Sequence, residues 1–101
     1  MQNPNFRTKP KKVNIIVEET PVDSRPGKGD KCSCFNEGDV FSFDFERCPQ
    51  NFCAAAFHSL WPMLRVIEMG GRHPWDEKEG VTYSNCPDPF KPVIFKLEEV
   101  K

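Results

Sequence analysis

Four stretches of this chain have a hydrophobic rhythm strong enough to dictate local structure, and together they leave the fold little freedom. From 12 to 20 (KVNIIVEET) apolar and polar residues alternate, with Val13, Ile15 and Val17 on one side. From 39 to 45 (DVFSFDF) they alternate again, with Phe41, Phe43 and Phe45 opposite Val40, Ser42 and Asp44. Residues 92–100 (PVIFKLEEV) repeat the pattern through Val93, Phe95 and Leu97. A period of two is that of a strand with one buried face. Residues 81–84 predict a further short strand.

Residues 52–69 follow a different rule. Phe57, Leu60, Trp61, Leu64 and Ile67 or Glu68 recur at three- and four-residue steps, the period of an amphipathic helix. The alanines at 54, 55 and 56 favour it. Asn51 is placed to cap its start and Gly70 to stop it. Pro62 removes a backbone donor and crowds the preceding turn, which predicts a kink or two short helices meeting near Trp61. The aromatic stripe reads as core.

The order is therefore strand, loop, strand, helix, loop, short strand, strand. It predicts an α+β fold: a small antiparallel sheet of three to four strands covered by one main, proline-kinked helix, with the first and last long strands paired. The whole chain is 101 residues, room for a single α+β domain over residues 12–101. Residues 1–11 (MQNPNFRTKPK), polar and basic with two prolines, read as a flexible tail. The net charge of −1 argues against a nucleic-acid module resting on bulk charge. No run approaches the roughly 18 apolar residues of a membrane span. The start lacks the apolar core of a secretory leader, so the expected localisation is cytoplasmic.

The chemistry lies in five cysteines: Cys32, Cys34, Cys48, Cys53 and Cys86. An odd number without a leader argues against a paired secreted framework. In a reducing compartment clustered cysteines hold metal, do redox work, or pack as small hydrophobes. Cys32 and Cys34 fall in the loop before the second strand. Cys48 and Cys53 flank the helix start, and Cys86 lies in the turn before the last strand. A small sheet can gather these three loops at one end. With Asn51 as cap, Cys53 is the second helical residue, where unpaired N–H groups and the helix dipole favour a thiolate.

Spacing selects no metal. Cys48-Pro49 and Cys86-Pro87 resemble the Cys-Pro step of iron–sulfur loops. The Cys-x-Cys and Cys-x4-Cys intervals differ from the paired Cys-x2-Cys of a zinc ribbon. His58 and His73 are candidate nitrogen ligands, with a structural or surface role as the plainer reading. Asp88 either adds an oxygen ligand or caps its own turn. Asp76, Glu77 and Glu79 read as a solvated loop. Met69-Gly70-Gly71-Arg72 follows a helix and so reads as a helix stop, not a phosphate cradle. No nucleophile elbow, phosphate-binding loop or zinc-protease helix is present.

Across residues 12–100 a set of motifs stands at spacings matching a known family. They are Cys32 with Glu37-Gly38-Asp39 and Phe41, then Phe52-Cys53, Gly70-Gly71 with Pro74-Trp75, Cys86-Pro87-Asp88, and Pro92-Val93-Ile94-Phe95-Lys96. The chain resembles the TIGR04076 family of small bacterial and archaeal proteins, which carries no assigned activity. The resemblance implies that Cys32, Cys53 and Cys86 are the family's cysteines. Cys34, Cys48, His58 and Pro62 fall outside the pattern.

The leading expectation is a metal- or iron–sulfur-binding protein, accessory to a larger redox enzyme. Cys32, Cys53 and Cys86 would hold zinc or an iron–sulfur cluster, with Cys34 or Cys48 as a fourth thiolate. A small domain gains much from such a staple. Two alternatives stay open. One is a non-catalytic interaction subunit that meets a protein partner or another copy through Trp61 or Trp75. The other is a small thiol-dependent redox enzyme in which Cys53 is resolved by Cys32 or Cys86.

Overall fold

The computed structural model describes residues 11–100. In chain order the elements are β1 (Lys12–Glu19), β2 (Val40–Phe43), α1 (Ala54–Glu68), β3 (Val81–Asn85) and β4 (Ile94–Val100). The strands form one antiparallel sheet in the order β2-β1-β4-β3. The fold is α+β, and the first and last strands are its central pair. Ile15 stands opposite Leu97 and Val17 opposite Phe95. These four, with Val13 and Val93, are fully or almost fully buried. The alternation works because only one face of the sheet is covered. Among the described residues no helix is long and apolar enough to cross a membrane.

α1 supplies the cover. It buries Ala56, Leu60, Leu64 and Ile67, packs against β3, and meets Phe43 of β2 through the Phe57 ring, 5.2 Å between centroids. It runs unbroken through Pro62 as one helix. The proline is exposed, as is His58 one turn before it, so the missing backbone bond falls on the side of the helix open to solvent. Trp61, expected in the core, is instead 40% exposed. The helix ends as the glycines predict. Gly70 takes φ 79, its N–H bonds Ile67 O and the Gly71 N–H bonds Val66 O, the paired bonds that close a helix through a left-handed residue.

Two boundaries differ from the sequence expectation. The second strand stops at Phe43 because Phe45 turns left-handed, φ 68, which folds its ring back on Phe43 at 4.7 Å. The helix starts at Ala54, not Phe52. Asn51 is itself left-handed, φ 63, a conformation this side chain tolerates, so it cannot cap. The cap residue is Cys53, φ −64 and ψ 125, with no side-chain capping bond. The expected tail lies outside the described residues except Lys11, whose ammonium donates to Ile67 O at 3.1 Å and reaches Glu99 at 3.6 Å.

Candidate thiol site

The loop before β2 is held in place by a clamp between its own residues 23–30 and the distant segment 88–91. Asp23, buried beneath Arg25, accepts two guanidinium hydrogen bonds, 3.1 and 2.8 Å, and the Arg25 backbone N–H at 2.9 Å. These bonds hold its carboxyl down at about 2, the guanidinium first and the backbone N–H second. Arg25 in turn lies 4.1 Å over the Phe90 ring. Ser24 N–H bonds Phe90 O, and Lys91 pairs with Asp30 at 3.1 Å. The 88–91 segment is itself a turn closed by Asp88, which accepts the Phe90 and Lys91 N–H groups. So Asp88 caps its own turn.

From this clamp the chain runs to Cys32. Phe35 then plunges into the core, 2% exposed. Its ring stands edge-on to Phe95 at 5.2 Å and meets Phe52 at 4.9 Å. Phe52 also meets Phe41 at 4.9 Å. This aromatic knot ties the Cys32–Phe35 segment to the Phe52–Cys53 segment, so the thiols at its edge meet. Cys34 is exposed at this edge, and the thiols of Cys32 and Cys53 both act on it electrostatically. Burial pushes the Cys34 thiol up, and repulsion from Cys32 and Cys53 adds to it. The Cys34 N–H donates to Cys32 Sγ at 3.4 Å. Cys32 and Cys53 are half-buried and pack against the core.

The other two cysteines are placed differently. Cys86 is buried, 8% exposed, and its sulfur accepts the Val93 N–H at 3.2 Å while its own N–H bonds Val93 O. It closes the open end of the β3–β4 ladder. Cys48 is exposed and lies across the start of α1, on a cleft shared with His58. Among the described residues no group of three or more His, Cys, Asp and Glu side chains is arranged to hold a metal ion. Cys32, Cys34 and Cys53 are thus neighbours at one edge of the aromatic knot and do not form such a group.

A second polar cluster went unread in the sequence. Asp76, expected to be solvated, has a side chain only 4% exposed and accepts the His73 N–H at 2.8 Å and His73 Nδ1 at 3.2 Å. Trp75 stacks on the His73 ring, 4.8 Å between centroids. Burial works to raise the Asp76 pKa, but the approach of the Thr82 hydroxyl as donor and the bonds donated by His73 win and lower it. Neither the Thr82 hydroxyl nor Asp76 Oδ1 completes a bond of normal geometry. The i, i+3 spacing of His73 and Asp76 around Pro74 was the available signal. His73 is therefore spent on Asp76, and His58 lies on the far cleft with Cys48.

No family model, no curated protein and no solved structure matches the chain.

Proposed function

We propose that this protein binds a soft metal ion or an iron–sulfur cluster through Cys32, Cys34 and Cys53. The observation that carries the reading is the Phe35–Phe52 contact, 4.9 Å between centroids, that brings the Cys32–Cys34 segment beside Cys53, with the Cys34 N–H donating to Cys32 Sγ at 3.4 Å. Thiolates packed together repel one another, and a soft cation removes that repulsion while releasing the protons. The Phe35, Phe41 and Phe52 rings beside them form an apolar wall, and low polarity strengthens each metal–thiolate interaction. Cys86, buried at the end of the β3–β4 ladder, acts as a structural residue. Relative to the ligand set the family resemblance implies, Cys34 takes its place. Membership of that family and a role as accessory to a redox enzyme belong to the same proposal. The test is anaerobic purification followed by analysis for zinc, iron and acid-labile sulfide. The expected result is stoichiometric metal that Cys34→Ser and Cys53→Ser lose and Cys48→Ser retains. A chain without metal whose thiols all titrate freely overturns the reading.

A second reading rests on the Phe35–Phe52 contact that sets the Cys34 segment beside Cys53, whose thiol acts on that of Cys34. Two touching thiols can reduce a low-molecular-weight disulfide: they lose two electrons and two protons to form one bond, and the small disulfide becomes two thiols. Metal-free protein that forms a single Cys34–Cys53 disulfide with oxidised glutathione supports this reading over the first. For an interaction subunit the supporting observation is Trp75, 58% exposed on its loop. A concentration-independent monomer that captures no partner counts against it.

A further inference from the structure

On the other side of the α1 start lies a cleft of about 460 Å³, between the segment after β2 and the first two turns of the helix. Its size is that of a small-molecule site. Its walls are aromatic: Phe43, Phe45, Phe57 and Trp61. Phe43 presents itself edge-on to Phe57 and Trp61, at 5.2 Å and 74° and at 6.2 Å and 81°. Phe57 and Trp61 are nearly side by side, 6.1 Å apart and tilted by 33°. A core stripe would bury these faces, yet Trp61 keeps 40% of its surface open.

The rim carries Arg47, Glu46, Cys48 and His58. Among the described residues no hydrogen bond or ion pair engages the Arg47 side chain. Arg47 also borders an adjoining depression with Lys12 and Asp44. The Asp44 carboxylate there is turned inward to the Glu46 N–H, 3.0 Å. In the cleft's own lining Arg47 is the one guanidinium and Glu46 the one carboxylate, and neither is paired with the other in an ion pair, which leaves the Arg47 guanidinium open to a ligand. A guanidinium beside an aromatic wall is suited to a planar carboxylate, which it can grip with two parallel bonds while the rings hold the apolar body.

We infer that this cleft is a binding site for a small flat aromatic carboxylate, seated against Phe57 and Trp61 with its acid group on Arg47. The site is separate from the Cys32–Cys34–Cys53 cluster and stands or falls without it.

The test compares two probes of one shape and opposite charge, 2-naphthoate and 2-naphthylmethylammonium, by calorimetry on the whole chain. Trp61 fluorescence in a Trp75→Phe background reports the location. The acid should bind saturably and about 10-fold more tightly than the amine, the weight of one charge-assisted contact. Arg47→Met should erase that preference, and Trp61→Ala should weaken both probes. Both side chains are exposed, and circular dichroism verifies that the variants remain folded. No saturation by the acid up to about 1 mM, the weakest binding of interest for such a fragment, overturns the inference. So does an amine that binds as tightly as the acid, or an Arg47→Met variant that keeps the preference.

Discussion

Replacing Asp76 by alanine should cost this small domain a large part of its stability. The carboxylate is 4% exposed and accepts two hydrogen bonds, 2.8 Å from the His73 N–H and 3.2 Å from the His73 ring. A hydrogen bond to a charged group contributes about 1.5–3 kcal/mol, and a buried donor left without a partner costs about 1–3 kcal/mol. Set against this is the desolvation that the variant no longer suffers, so the net loss should be about 3 kcal/mol. With an m-value of roughly 1.5 kcal/mol/M for a chain of this size, the urea midpoint should fall by about 2 M. The effect must also depend on pH. The folded pKa of Asp76 lies below its ordinary value of 3.8. Its contribution is therefore fully present above that ordinary value and is lost as pH falls through the lower folded value. The gap between wild type and variant should be constant from pH 7 to about 5 and shrink below pH 4. A loss under about 1 kcal/mol at pH 7, or a gap that stays constant down to pH 2.5, refutes the reasoning.

Other consequences are simpler. Arg25→Ala should raise the Asp23 carboxyl from about 2 toward its ordinary 3.8, as seen by side-chain carbon NMR titration, and should loosen the clamp before Cys32. Leu60→Ala removes a fully buried side chain of α1 and should cost about 2–5 kcal/mol in chemical denaturation. Gly70→Ala meets nothing within 4 Å but must hold φ 79, so about 1–2 kcal/mol is expected from backbone conformation alone. Phe35→Leu should keep the fold but separate the thiol segments. Its expected mark is slower Cys34–Cys53 disulfide formation under oxidised glutathione with little change in the rate at Cys48.

The strands and the helix were legible because their signals are local. Val13, Ile15 and Val17 announce a buried face whatever lies opposite, and so do Val93, Phe95 and Leu97. Gly70 stops α1 for a reason contained in one residue, the freedom to adopt positive φ. The start of the same helix misled because Asn51 suits two roles, a cap and a left-handed turn residue. Its neighbours decided for the second. Trp61 misled as well: helical spacing places it on the apolar stripe, but the chain beyond Phe43 turns away at Phe45 and leaves its ring half open. Asp76 looked solvated beside Glu77 and Glu79, since no periodicity marks a loop carboxylate that folds under a stacked His73 and Trp75.

The thiols show the same division most clearly. That cysteines fall in three loops at strand and helix ends follows from the linear order of residues and needed no coordinates. Which cysteine segments lie side by side follows from contacts that no short window contains: Arg25 over Phe90, and Phe35 against Phe52 and Phe95. Local periodicity shapes an element because each residue is judged by neighbours a few bonds away. Proximity between Cys34 and Cys53 depends on how separate elements pack their rings, and that is a property of the assembled core.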